Sequence, residues 1–197
     1  KAYKVDTFVF DKTGTLTIGK PAVTDIVMLS EFVSEKEAMV LAASAELGSE
    51  HPLARAIIEK GKSFSQLTEP REFKAVAGLG ISASIGIRRV DIGNKAFAES
   101  LGVKTHVFDD KLEELQAQGK TVVFLFVDNK ATALVAMADT LKPFAKEAIE
   151  ALKKMGKEVV MMTGDNQMTG KAIGLLVGID KILAEVLPQD KAAQVKK

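Results

Sequence analysis

The residues best suited to chemistry begin with Asp11-Lys12-Thr13-Gly14-Thr15-Leu16-Thr17, directly after the apolar run 5–10. An aspartate at the end of a buried strand can attack a phosphoryl group and form an acyl phosphate. Its charge must be offset as it approaches an anionic phosphate, which calls for Mg²⁺ and backbone N–H donors. The turn at Thr13-Gly14 has amides that could face the phosphate. The plainer alternative is a strand–turn with an exposed Asp. Thr163-Gly164-Asp165-Asn166 follows a second apolar run, Glu158–Met162; by itself this is common turn chemistry.

The middle of the chain carries different groups. In Ser49-Glu50-His51-Pro52-Leu53, a His just before a helix start can stack or hydrogen-bond on a purine; alternatively it is structural or exposed. Gly78-Leu79-Gly80 lets a nucleotide approach the backbone, or simply connects two strands. Gly93-Asn94 reads as a turn.

These groups need elements to hold them. The run 5–10 reads as a buried strand of a parallel sheet, and reactive groups sit at the carboxyl ends of such strands. Pro143 is predicted to open a helix with Phe144, Ala148, Leu152 and Met155 on one face, stopped by Gly156. A strand at Glu158–Met162, a helix over 168–177 and a strand over 182–186 follow. This alternation is the signature of a doubly wound α/β domain. Asp139, ahead of Pro143, also suits a helix N-cap.

Between these parts, Ser34 and Glu37 form a capping box for a helix to about Ala45, and Pro52 starts another over 53–60. Strands are predicted over 72–75, 81–85 and 87–92, and Thr121–Val127 and 131–137 flank the hairpin signal Asp128-Asn129-Lys130. The expected organisation is therefore an α/β domain (1–21 and 139–197) split by an inserted α+β, antiparallel-sheet module (22–138). The crossings near 20–22 and 137–139 are expected to act as a hinge.

Composition excludes several classes. Lys+Arg is 27 against Asp+Glu 26, with no extended basic cluster, which argues against a nucleic-acid binder. There is no cysteine and there are two histidines, so neither disulfides nor a thiolate or His-cluster metal site is available. Apolar runs fall far short of the roughly 20 residues that span a bilayer. Gln194-Val195-Lys196-Lys197 reads as a helix cut mid-course, so a piece of a longer protein is expected.

Residues 11–17 resemble the phosphorylation motif of the P-type ATPases, within the haloacid dehalogenase-like superfamily. The resemblance covers almost the whole chain, in order. It implies that Asp11 is the phosphorylated nucleophile, with Lys12 and Thr13 beside it and Asp11 and Thr13 contributing to a partial Mg²⁺ site. Related phosphatases keep an acid where Thr13 stands; without it an aspartyl phosphate should persist. The Thr163 hydroxyl and Gly164 amide are implied to bind phosphoryl oxygens, with Asp165 orienting its neighbours and Lys191 neutralising the phosphoryl group. Residues 139–143 resemble the return crossing. Residues 49–53 resemble the adenine-site motif of heavy-metal, CPx-class pumps, which implies nucleotide contacts from Glu46, His51, Gly78, Gly80, Gly93 and Asn94.

The function implied is that of an ATP-binding catalytic region of a heavy-metal pump, copper more than zinc or cadmium. It would be a monomeric cytoplasmic domain of an integral membrane protein. Membrane helices, an actuator domain, the Cu⁺ site and the motif with the main Mg²⁺ carboxylate would lie outside this chain, so weak or no self-phosphorylation is expected. The rival readings are a soluble phosphatase or phosphotransferase of the superfamily, and a non-catalytic nucleotide-binding module.

Overall fold

In the computed structural model residues 5–195 are described. The elements run β1 (Thr7–Asp11), β2 (Ala22–Met28), α1 (Glu35–Glu46), α2 (Pro52–Lys62), β3 (Arg71–Val76), β4 (Gly80–Ile85), β5 (Arg88–Gly93), α3 (Lys95–Ser100), α4 (Asp109–Ala117), β6 (Thr121–Val127), β7 (Lys130–Ala138), α5 (Ala145–Lys154), β8 (Glu158–Met162), α6 (Gln167–Val177), β9 (Lys181–Leu183) and α7 (Lys191–Val195). They divide into two compact units. The first holds residues up to Lys20, Gln116–Thr121 and the chain from Asp139 onward; the second holds Pro21–Leu115 and Val122–Ala138.

The first unit is built on a parallel sheet in the order β1-β8-β9. Its core joins Val159 and Met161 of β8 to Ile149 of α5 and to Ile173 and Val177 of α6. Alternation along β8 explains this: Val159 and Met161 point to the helices, two residues apart as the pleat requires. The expected α/β parallel architecture is present, with differences at helix α5. Pro143 lies outside it, and Phe144 is its N-cap residue with φ of 64°. Phe144 and Met155 are exposed at 77% and 60%; of the face read from the sequence only Leu152 packs against the core, beside Ile149.

The second unit is a six-stranded antiparallel sheet in the order β2-β7-β6-β5-β4-β3. Along β4, Ile81, Ala83 and Ile85 are buried while Ser82 and Ser84 are less so, a period of two that puts one face against a core. Helices α1 and α2 cover that core through Met39, Ala42, Ala43 and Ile57. A second cluster joins Leu112 and Leu115 of α4 to Phe124, Phe126 and Leu134 of the sheet. Ser34 caps α1 by accepting the Glu37 N–H at 3.2 Å. Strand β2 and helices α3 and α4 carried no clear sequence signal; β2 is specified by its pairing with β7.

Candidate active site

Strand β1 pairs with β8 so that Asp11 lies beside Met162. The next residues of each strand, Lys12 and Thr163, therefore leave the sheet at the same edge, and both are buried. That parallel register brings the two sequence-distant motifs together.

Lys191, the first residue of α7, donates from Nζ to Asp11 Oδ1 at 2.7 Å, and both side chains are partly exposed. The cation sits where charge on an attacking carboxylate must be offset. Lys12 points elsewhere: its Nζ lies 2.5 Å from Asp165 Oδ2, with both side chains nearly buried. Thr163 donates from Oγ1 to the same Oδ2 at 2.8 Å and accepts the Asp165 N–H at 3.1 Å. Burial alone would raise the Asp165 carboxyl, but Lys12 and the hydroxyls of Thr121 and Thr163 outweigh it and hold it below the usual carboxylate range. The loop is braced from the β9 side, where Glu185 N–H donates to Asp165 O at 2.8 Å and Val186 N–H to Thr163 O at 3.1 Å. Gly164 between them is exposed.

The turn after Asp11 is also tied down. Gly14 has φ of 77°, a conformation that glycine adopts without steric cost. Its N–H donates to Thr17 Oγ1 at 3.2 Å, so it points back into the turn rather than outward as expected. The Thr17 hydroxyl donates in turn to Asp139 Oδ2 at 2.6 Å. Asp139 also accepts the N–H groups of Gly19 and Lys20, each at 3.0 Å. Lys142 Nζ donates to Gly14 O at 2.6 Å. Asp139 is therefore not the cap of α5. It clamps the first crossing to the return crossing. Thr17 lies in the first motif, and Asp139 and Lys142 in the return crossing, but none was given a site role; for Thr121 no sequence signal distinguishes it from any other strand residue.

The oxygen donors at the end of β1 suit a hard cation such as Mg²⁺, but they are few. Asp11 supplies one carboxylate, already engaged by Lys191. Among the described residues no group of three or more His, Cys, Asp or Glu could hold a metal ion.

In the second unit the predicted nucleotide residues form two local groups. Glu46 closes α1 and is 6% exposed. Burial pushes its pKa from 4.5 up to about 7, against a smaller lowering by a Ser49 hydrogen bond. Its Oε2 is buried without a hydrogen-bond partner, the kind of orphaned acceptor that a ligand satisfies. His51 is the N-cap of α2, where its Nδ1 accepts the Leu53 N–H at 3.2 Å. The ring is exposed.

The other group is the hairpin end where Gly80 pairs with Gly93. Asn94 donates from Nδ2 to Gly78 O at 2.8 Å and caps α3 by accepting the Phe97 N–H at 2.9 Å. A Cβ on Gly80 would lie 2.7 Å from Phe97 Cδ1, and one on Gly93 would lie 2.6 Å from Leu79 O. A Cβ at either glycine would thus meet the Phe97 ring or neighbouring backbone.

Known proteins resemble this chain over nearly its whole length. The copper-exporting P-type ATPase of Bacillus subtilis (strain 168) is 44% identical over 199 residues, which is 99% of this chain and 24% of that protein. The copper-exporting P-type ATPase of Staphylococcus aureus (strain bovine RF122 / ET3-1) is also 44% identical, over 100% of this chain and 24% of its own length. The chain thus spans about a quarter of the relatives it matches. Among solved structures, a zinc-transporting PIB-type ATPase in the E2.Pi state is similar with a TM-score of 0.66 and 35% identity, over 97% of this chain and 31% of the other. The catalytic CPx-ATPase domain CopB-B is similar with a TM-score of 0.68 and 25% identity, over 98% and 66%. The model of the haloacid dehalogenase-like hydrolases matches residues 5–197, and the chain belongs to that family.

Proposed function

We propose that this chain is the ATP-using catalytic region of a heavy-metal-transporting P-type ATPase, and that Asp11 becomes an aspartyl phosphate during its cycle. The observation that carries the reading is the Lys191 ammonium 2.7 Å from Asp11 Oδ1, at the carboxyl end of a parallel strand. ATP is taken by Glu46 and His51 and by the hairpin of Gly78, Gly80, Gly93 and Asn94. An Asp11 carboxylate oxygen attacks the γ-phosphorus. A new O–P bond forms, the bond to the β,γ-bridging oxygen breaks, and ADP leaves with that electron pair. Lys191 offsets the charge on the attacking carboxylate and the phosphoryl oxygens, while the exposed Gly164 supplies its N–H from the neighbouring loop and Thr163 holds Asp165. Lys12 acts through Asp165.

Thr13 supports a pump over a phosphatase, because no acid stands two positions after Asp11 to activate water. The copper-exporting names of the curated relatives support Cu⁺ as the transported ion. Among the described residues no helix is long and apolar enough to cross a membrane. The reading places ion passage in membrane helices of a longer protein, together with an actuator domain, and makes this region a cytoplasmic part of a membrane protein.

The test is labelling of the longer protein with γ-phosphate-labelled ATP. An acid-stable, hydroxylamine-labile phosphate is expected, and Asp11→Asn abolishes it. Labelling that survives in Asp11→Asn overturns the assignment.

A further inference from the structure

The geometry assigns Thr121 as a positioning residue for the catalytic loop, holding the Asp165 carboxylate in the orientation that fixes Lys12. Thr121 opens β6, inside the stretch that connectivity gives to the inserted module, yet Gln116–Thr121 packs with the first unit. Its Oγ1 donates to Asp165 Oδ1 at 2.7 Å. The other oxygen, Oδ2, takes Lys12 and Thr163. The two carboxylate oxygens thus have different partners, and the carboxylate plane is defined only while both sets are present. Lys12 adjoins Asp11 in the chain, so the orientation of Asp165 bears on the backbone that presents the nucleophile.

Thr121 is held there by two further contacts. Thr169 of α6 donates from Oγ1 to Lys120 O at 2.9 Å. Gly119, with φ of 76°, lies against Ile173, and a Cβ at this position would come 2.8 Å from Ile173 Cδ1. A side chain at residue 119 is disfavoured both by backbone conformation and by space. The turn is thus anchored on α6 by one polar and one apolar contact, and it delivers one hydroxyl to one carboxylate oxygen. Thr121 contacts no reacting atom; it acts through Asp165 and Lys12.

The catalytic consequence rests on the phosphotransfer reading above, and the test separates the two. In this chain, carbon-detected NMR titration of Asp165 is compared in wild type, Thr121→Val and Thr121→Ser. The expected result is a carboxyl that titrates higher in Thr121→Val and close to wild type in Thr121→Ser. An unchanged Asp165 in a folded Thr121→Val overturns the assignment whether or not Asp11 is ever phosphorylated. In the longer protein, Thr121→Val is expected to slow phosphoenzyme formation about tenfold with ATP half-saturation unchanged, as loss of one charge-assisted hydrogen bond would do. Thr121→Ser is expected to restore the rate. Wild-type labelling by Thr121→Val overturns the positioning role while leaving Asp11 as nucleophile. Should Thr121→Val fail to fold, Thr121→Ala serves in both arms with the same expected and overturning results.

Discussion

Lys12 and Asp165 meet at 2.5 Å, with side chains 10% and 12% exposed. The residue that follows Asp11 is therefore pinned to the loop that follows β8. A buried pair of this kind adds little net stability over a well-packed apolar pair, but removing one partner leaves an uncompensated charge.

Asp165→Asn keeps the shape and removes the charge. It strands the Lys12 ammonium, and we expect a loss of about 3 kcal/mol. Urea unfolding of wild type and variant measures it directly. A loss under about 1 kcal/mol, the range of an exposed pair, would contradict the buried-pair description.

Glu46 makes stability fall with rising pH. Its folded pKa of about 7 is above the ordinary 4.5, so between these values the folded state holds more protons than the unfolded one. The stabilising contribution of the neutral form is present below pH 4.5 and is lost by about pH 7. The full swing is about 3 kcal/mol from the shift in pKa. Urea midpoints for wild type and Glu46→Gln, measured across that window, should converge at low pH and diverge as pH rises, with the variant the more stable. Parallel curves would show that Glu46 titrates normally.

His51 has two roles that substitution can separate. Its Nδ1 caps α2, while its exposed ring is the proposed adenine contact. His51→Ala should weaken ATP binding several-fold by calorimetry and also cost about 1 kcal/mol of stability through the lost cap. His51→Asn should keep the cap and still lose affinity. Unchanged ATP affinity in both variants would remove His51 from the nucleotide site.

The Pro-started helix after His51 was legible because its signal is local, whereas Glu46 was reached only through the family resemblance. That a Cβ at Gly80 or Gly93 would meet the ring of Phe97 was not legible, because the fold brings Phe97 against them.

Residue order alone determined where Asp11 falls, at the end of an apolar run, and the strand–helix alternation that makes the first unit a parallel sheet. It also determined the Ser34 cap, whose partner is three residues away. Periodicity and capping act over a turn or two, so they show in the letters. The tertiary structure alone decided that Lys191 reaches Asp11 across a separation of 180 residues, Thr17 reaches Asp139 across 122 and Thr121 reaches Asp165 across 44. Such contacts depend on strand register and on the packing of α6, which no local pattern records. Phe144 left the face assigned to it because it precedes α5 as the N-cap residue, with φ of 64°.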